Sequence, residues 1–197
     1  MIENAGYKLE HCRKHCVKSS QDWSELYAQL EQLLKDLDIP THLAKRFNQV
    51  QYHYIPKIAL AGCPNGCSQP QIRDIGISGY LTPKMTDNIC SGCHRCINSC
   101  IENALTWENK KVVLDSKLCL NCGDCIRACT TGRIAPGDSG WIFHLGGRLG
   151  RHPQLARIAG IENDNEEVIN KIKNIFEDYF ENALPEERLN RYLDRQR

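Results

Sequence analysis

The sequence predicts an α+β fold: a sheet-and-helix unit built from both ends of the chain and interrupted by a cysteine-rich insert. Three observations carry that prediction. Short apolar runs bounded by glycine and proline read as strands, two longer stretches carry apolar residues at helical spacing, and an eleven-residue cysteine pattern occurs twice between them.

In chain order, Cys12 and Cys16 precede a helix that Ser19 or Ser20 can cap. Trp23, Leu26, Tyr27, Leu30, Leu33, Leu34 and Leu37 recur on one face of it, and Pro40 follows its stop. The apolar run Ile58, Ala59, Leu60, Ala61 reads as a buried strand that enters a tight turn holding Cys63 and Cys67. A second strand is expected over 74–79. Strand-like pieces at 104–107 and 112–114 separate the two copies of the cysteine pattern. A strand near 140–145 ends in a glycine-rich basic turn over 146–152. The next helix, capped near Asp164, places Val168, Ile169, Ile172, Ile175, Phe176, Tyr179 and Phe180 on one face. Pro185 separates it from a short charged terminal helix.

Lysine and arginine nearly cancel the carboxylates, leaving a net charge of +1 over 197 residues. No global field therefore draws the chain to nucleic acid or an anionic membrane. No apolar run approaches the roughly 20 residues of a membrane span. The start of the chain lacks the pattern of an export signal, so a cytoplasmic protein is expected. With no export signal, the twelve cysteines point to metal ligation rather than to disulfides.

Cys90, Cys93, Cys96 and Cys100 follow C-x2-C-x2-C-x3-C, and Cys119, Cys122, Cys125 and Cys129 repeat it. This is the spacing of two-cluster bacterial ferredoxins, in which three thiolates wrap one side of a cubane and the fourth comes from the other copy. One [4Fe–4S] cluster is thus expected on Cys90, Cys93, Cys96 and Cys129, the other on Cys119, Cys122, Cys125 and Cys100. A pair of zinc sites is the competing reading, although structural zinc rarely repeats this pattern. The proline that usually follows the fourth cysteine is Ile101 in one copy and Thr130 in the other. Cys12, Cys16, Cys63 and Cys67 form two C-x3-C pairs that can hold a third cubane or, with the same donors, zinc.

The segment Ala61, Gly62, Cys63, Pro64, Asn65, Gly66, Cys67, Ser68 resembles the second cysteine motif of the sirohaem–[4Fe–4S] half-domain of sulfite and nitrite reductases. The strand over 74–79, the turn Gly146, Gly147, Arg148, Leu149, Gly150, Arg151, His152, Pro153 and the closing helix over 187–195 resemble that family in the same order. An inserted ferredoxin is similar to the dissimilatory and anaerobic types. The resemblance implies a discontinuous half-domain over 1–83 and 138–197, with the ferredoxin insert over 84–137. It also implies that Cys12, Cys16, Cys63 and Cys67 hold a cluster, that Cys67 bridges to sirohaem iron, and that Arg148, Arg151 and His152 pair with sirohaem carboxylates. A solvated surface turn is the plainer reading of those basic residues.

Two departures qualify the resemblance. The first cysteine pair is two residues shorter than the family's C-x5-C, and only eleven residues precede Cys12. The ferredoxin-like half-domain that supplies anion-binding side chains in the reductases is thus not expected in this chain. Anion positioning would fall to Arg13, Lys14 and Lys18, beside His15, or to a partner chain. Two functions follow: a subunit of a sirohaem reductase acting on sulfite, nitrite or a related oxyanion, or a non-catalytic electron carrier with three clusters. Both imply an electron-donor protein, with a partner subunit or a second copy of the chain as further partners.

Overall fold

The computed structural model describes residues 6–196, so part of the segment expected to lack an export signal lies outside the described residues. Its main sheet has five strands in the order β1 (Lys8–His11), β2 (Lys57–Ala61), β3 (Ile75–Met85), β6 (Ile134–Leu145) and β7 (Arg157–Glu162). The β1–β2 and β2–β3 pairings are parallel, and the β3–β6 and β6–β7 pairings antiparallel. This is the α+β class expected.

Parallel neighbours cannot be joined by a tight hairpin and need a crossover. Between β1 and β2 it consists of α1 (Ser24–Asp36) and α2 (Ile39–Arg46). Pro40 follows the stop of α1, as expected, but belongs to a second helix. It sits in the first turn of α2, where its missing N–H would have had no helical acceptor. Between β2 and β3 the crossover is residues 62–74, which carry Cys63, Cys67 and a 3-10 turn, Pro70–Ile72.

One face of the sheet presents Ile58, Leu60, Ile75, Ile77, Trp141, Phe143 and Leu145 to the helices. Leu26, Leu30 and Leu34 of α1 meet them, with Val168, Ile172, Phe176 and Tyr179 of α5 (Asn165–Asn182). Asp164 caps α5 as expected, accepting from the Glu167 N–H at 2.9 Å, while Glu167 accepts from the Asn163 N–H. The terminal helix α6 (Leu189–Arg195) closes the core with Leu189, Tyr192 and Leu193.

The expected cap of the first helix is corrected. Helix α1 starts at Ser24 with no side-chain cap, and Ser19 and Ser20 are used elsewhere. The Ser19 hydroxyl donates to Gln21 O and that of Ser20 to Cys122 O, because the loop after Cys16 is tied to neighbouring elements before the helix begins.

Strands β3 and β6 are longer than expected. They leave the sheet as a two-stranded ribbon, with an irregularity at Leu81 and Pro83, and pair Lys84 with Ala135 and Met85 with Ile134. Residues 86–133 hang from that ribbon. They contain two short helices, α3 (Arg95–Ser99) and α4 (Asp124–Ala128), and a hairpin of β4 (Leu105–Glu108) and β5 (Lys111–Leu114). A second, small core joins Cys96, Leu105, Val112, Cys125 and Ile134.

Candidate metal centre

None of the twelve cysteines is in a disulfide. The C-terminal ends of the two parallel strands β1 and β2 deliver the first set. Cys12 continues β1, its N–H donating to Leu60 O at 3.0 Å, and Cys63 follows β2 by two residues. Cys16 and Cys67 stand on the two loops beyond. Burial raises the pKa of Cys63, and the neighbouring Cys12, Cys67 and Cys16 raise it further, so the four thiols of the two C-x3-C pairs share one electrostatic environment.

In the insert the same logic separates two groups. Burial pushes the Cys125 pKa up to about 12, reinforced by Cys119, Cys122 and Cys100. Burial also raises Cys96, with Cys129 and Cys90 as its thiol neighbours. Cys125 thus lies among Cys119, Cys122 and Cys100, and Cys96 beside Cys129 and Cys90. One thiol of each set is buried, Cys63, Cys96 or Cys125, and a buried thiol beside other thiols resists ionisation unless a cation stands among them, which is the donor chemistry a cluster needs.

The loops share a backbone device. His15, Gly66, Gly92 and Asn121, each immediately before a cysteine, all adopt positive φ, between 51° and 65°. His94 and Gly123, each immediately after the second cysteine of its repeat, do so as well. Left-handed residues between cysteines turn successive N–H groups inward, the geometry that cradles anionic groups. Several N–H groups reach sulfur directly: Gly62 to Cys12 and Ala104 to Cys100 at 3.3 Å, Ile134 to Cys129 at 3.3 Å, and Asn121 to Cys119 at 3.4 Å. The Asn65 amide donates to Cys67 Sγ at 3.0 Å. Such donors stabilise thiolate and raise a cluster's potential. The residues present therefore fit iron–sulfur clusters.

One cavity of about 260 Å³ connects two of the thiol groups. Cys16, Cys63 and Cys67 line one side and Cys100, Cys119, Cys122 and Cys125 the other. The thiols surround a volume: among the described residues no three His, Cys, Asp or Glu side chains close on a single metal ion. Polar bonds hold the two walls in register. Asp124 pairs with Lys18 at 3.1 Å and with Arg127 at 2.8 Å, and Arg127 also donates to Lys18 O, Ser19 O and Cys122 O. Against burial, which favours the acid, Arg127 and Lys18 keep the Asp124 pKa below its ordinary value.

The other sequence-nominated residues divide. Lys18, expected to position an anion, has its charge met by Asp124, whereas Arg13 and Lys14 are exposed. Arg148 is largely buried. It pairs with Asp194 and donates to Gln154 Oε1 at 2.9 Å and His152 O at 3.2 Å, while Arg151 and His152 are exposed. The basic turn also lies toward the opposite end of the sheet from Cys63. Ala61 pairs with Ser78 but Leu145 with Ile75, which separates the ends by roughly 10 Å along β3.

Sequence reasoning missed Asp124, Arg127 and Ser20, which fasten the insert to the sheet. A signal for two of them was present. The two cysteine repeats differ where Arg95 and Asn98 of the first correspond to Asp124 and Arg127 of the second, and residues 18–20 hydrogen-bond to the second copy.

A half-wound sheet with thiols at its parallel strand ends, joined to a duplicated cysteine insert, defines an iron–sulfur oxidoreductase. The chain belongs to the nitrite and sulphite reductase 4Fe-4S domain family, whose model matches residues 6–196. It is 30% identical over 148 residues to one subunit of the anaerobic sulfite reductase of Salmonella typhimurium, a match covering 73% of this chain and 40% of that protein. It is 29% identical over 137 residues to the coenzyme F420-dependent sulfite reductase of Methanocaldococcus jannaschii, covering 70% of this chain and 20% of that protein. The crystal structure of dissimilatory sulfite reductase I has a similar fold, with a TM-score of 0.64 and 20% identity, over 95% of this chain and 49% of that one. The chain thus spans less than half the length of each of these relatives. Among the described residues no helix is long and apolar enough to cross a membrane.

Proposed function

We propose that this chain is a redox subunit of a sulfite- or nitrite-reducing assembly, carrying three [4Fe–4S] clusters and coupled to sirohaem through Cys67. Cys90, Cys93, Cys96 and Cys129 hold the outer cluster, and Cys119, Cys122, Cys125 and Cys100 the middle one. Cys12, Cys16, Cys63 and Cys67 hold the inner one. The half-domain then comprises residues 1–83 and 138–197, and the insert 84–137. The single cavity shared by the inner and middle thiol groups carries this reading, because close centres exchange electrons without a large motion of the chain.

When bound, the clusters supply one-electron transfer and sirohaem supplies the iron at which an oxyanion is reduced. The chain's own residues do the rest. N–H groups of Gly62, Ala104, Asn121 and Ile134 hold thiolates, and the Asp124 contacts fix the insert against the loop after Cys16. Arg13, Lys14, Arg151 and His152 remain exposed cations and donors for an anion or for sirohaem carboxylates. The exposed Cys93, with Ile89 nearby in sequence at 90% exposure, supports docking of an electron-donor protein on that side. The Salmonella relative is named as a subunit, which supports a partner chain that completes the site.

The second reading, a three-cluster carrier without sirohaem, is favoured by one observation: Lys18 and Arg148 are already matched by Asp124 and Asp194. Iron content and the mass of acid-extracted pigment in anaerobically purified protein separate the two. Sirohaem with about thirteen irons per chain supports the reductase subunit, and about twelve irons with no tetrapyrrole leaves the carrier. Iron near eight per chain, two cubanes only, would remove the inner cluster and with it the proposal. In the sirohaem-loaded protein, Cys67→Ser should uncouple the haem and cluster signals while leaving the insert's clusters intact.

A further inference from the structure

A second pocket, of about 240 Å³, opens at the N-terminal ends of β1, β2 and β3, the opposite end of those strands from Cys12 and Cys63. Lys8, Lys57, Arg73, Arg148 and Arg188 line it, with Asp74 as its one carboxylate. Nearby acids cancel these charges only in part. Glu10 is shared between Lys8 at 2.7 Å and Arg73 at 2.6 Å, and Asp194 pairs with Arg148. Lys57 and Arg188 have no ion pair among the described residues beyond the longer-range field of Asp74, and instead lie over the rings of Tyr52 and Tyr54. Five permanent cations against three carboxylates leave an excess of two positive charges around one small cavity.

Asp74, whose pKa burial lifts to about 6 against the pull of the Lys57 N–H and the charges of Lys57, Arg188 and Arg73, is still largely ionised at neutral pH and is the third of these carboxylates, so the excess of two remains. A further fact makes this a site rather than a basic surface. Asn190 also lines the pocket, and its Oδ1 is buried without a hydrogen-bond partner. A buried acceptor without a donor implies a missing partner.

We propose that this pocket binds a phosphoryl group, either inorganic phosphate or the terminal phosphate of a small monoester. The charge excess matches a dianion, arginine and lysine supply the donors that phosphate oxygens accept, and a protonated phosphate oxygen offers the O–H that Asn190 Oδ1 lacks. Sulfate has the same shape and charge but no proton at neutral pH, so the pocket prefers phosphate. The site is independent of the cluster assignment, since none of its lining residues is a cysteine.

The test is isothermal titration calorimetry of the anaerobic holoprotein at low ionic strength with inorganic phosphate, sulfate and adenosine 5′-monophosphate. Saturable binding of one phosphate per chain is expected, with sulfate weaker. Lys57→Gln and Arg188→Gln should each weaken phosphate roughly tenfold or more. Both side chains lie outside the core, so iron content and visible spectrum should match the wild type and certify the fold. Tighter binding of the nucleotide than of phosphate identifies the ester as ligand, and equal binding identifies the free anion. Absence of saturable phosphate binding, binding of sulfate as tight as phosphate, or undiminished binding in both folded variants overturns the proposal.

Discussion

The two cores of this molecule are built from different materials. Between the sheet and helices α1, α2, α5 and α6, aliphatic and aromatic side chains interlock, and Phe176, Tyr179, Phe143 and Leu30 are wholly buried. The small core of the insert joins Cys96, Leu105, Val112, Cys125 and Ile134, with Cys90, Cys100 and Cys129 packed against them beside Met85, Ile97, Trp107, Leu114 and Ile126. The first core contains enough apolar area to hold itself together. The second has thiols where a self-sufficient domain has leucines, so its fold depends on what the thiols bind.

The largest test of that contrast is removal of iron. Anaerobic chelation should abolish amide protection over residues 90–129, while β2 and α5 stay protected in hydrogen–deuterium exchange. Equal protection of both regions in the iron-free protein would break the comparison.

Phe176→Ala probes the other side. It opens a cavity in the packed core and should cost about 3–5 kcal/mol, read as a fall in the unfolding midpoint of the sheet unit. The visible spectrum should change only once that unit unfolds.

A smaller effect concerns Asp74, whose folded pKa of about 6 lies above the ordinary 3.8. The folded state therefore holds this proton more tightly than the unfolded chain. Stability from this group is greatest at the acid end, falls as pH rises from about 4 to 6, and stays lower above that. Asp74→Asn keeps an acceptor for the Lys57 N–H and should flatten that fall, a difference of roughly 2–3 kcal/mol between pH 4 and 7. Denaturant titrations at the two pH values measure it. An unchanged slope in the variant would assign the pH dependence to other groups.

The smallest effect sharpens the boundary between the cores. Asp124→Asn loosens the tie between the insert and the loop after Cys16 and should cost about 1–2 kcal/mol, chiefly through Arg127. Lys18→Met should cost less than about 1 kcal/mol, because its side chain is 63% exposed and solvent screens the pair. Faster exchange at Ser20 and Gln21, whose N–H groups donate to Gly62 O, reports the loosening. A larger loss from the lysine than from the aspartate would reverse the roles assigned to them.

Much of the proposed metal chemistry is legible in the chain alone, because the spacing of candidate ligands is a local property. C-x2-C-x2-C-x3-C confines four thiols to about two turns of chain, and Gly92 and Gly123 already announce the left-handed turns between them. The helix periodicities around Leu30 and Ile172 were equally readable, since 3.6-residue spacing needs no partner to be recognised. Other elements gave no such signal. Strand β1 is four residues long and only partly buried, and β7 is an edge strand with Ile158 and Ile161 exposed, so neither shows a clean alternation. Helix α2 was hidden by Pro40, whose meaning depends on whether a new helix starts there or an old one ends.

The sequence by itself determined which atoms are available for metal and how they group within each loop, because both depend on residues a few positions apart. Only the tertiary structure decided which groups face each other. The register of β2, β3 and β6 sets Cys63 apart from Arg148, and the Asp124 contacts hold three cysteines of the second repeat, with Cys100 of the first, toward Cys16 and Cys67. Those choices depend on pairings between residues 18–20 and 122–127 and between distant strands. A charge or a carbonyl has no partner written beside it in the chain until the sheet brings one within reach.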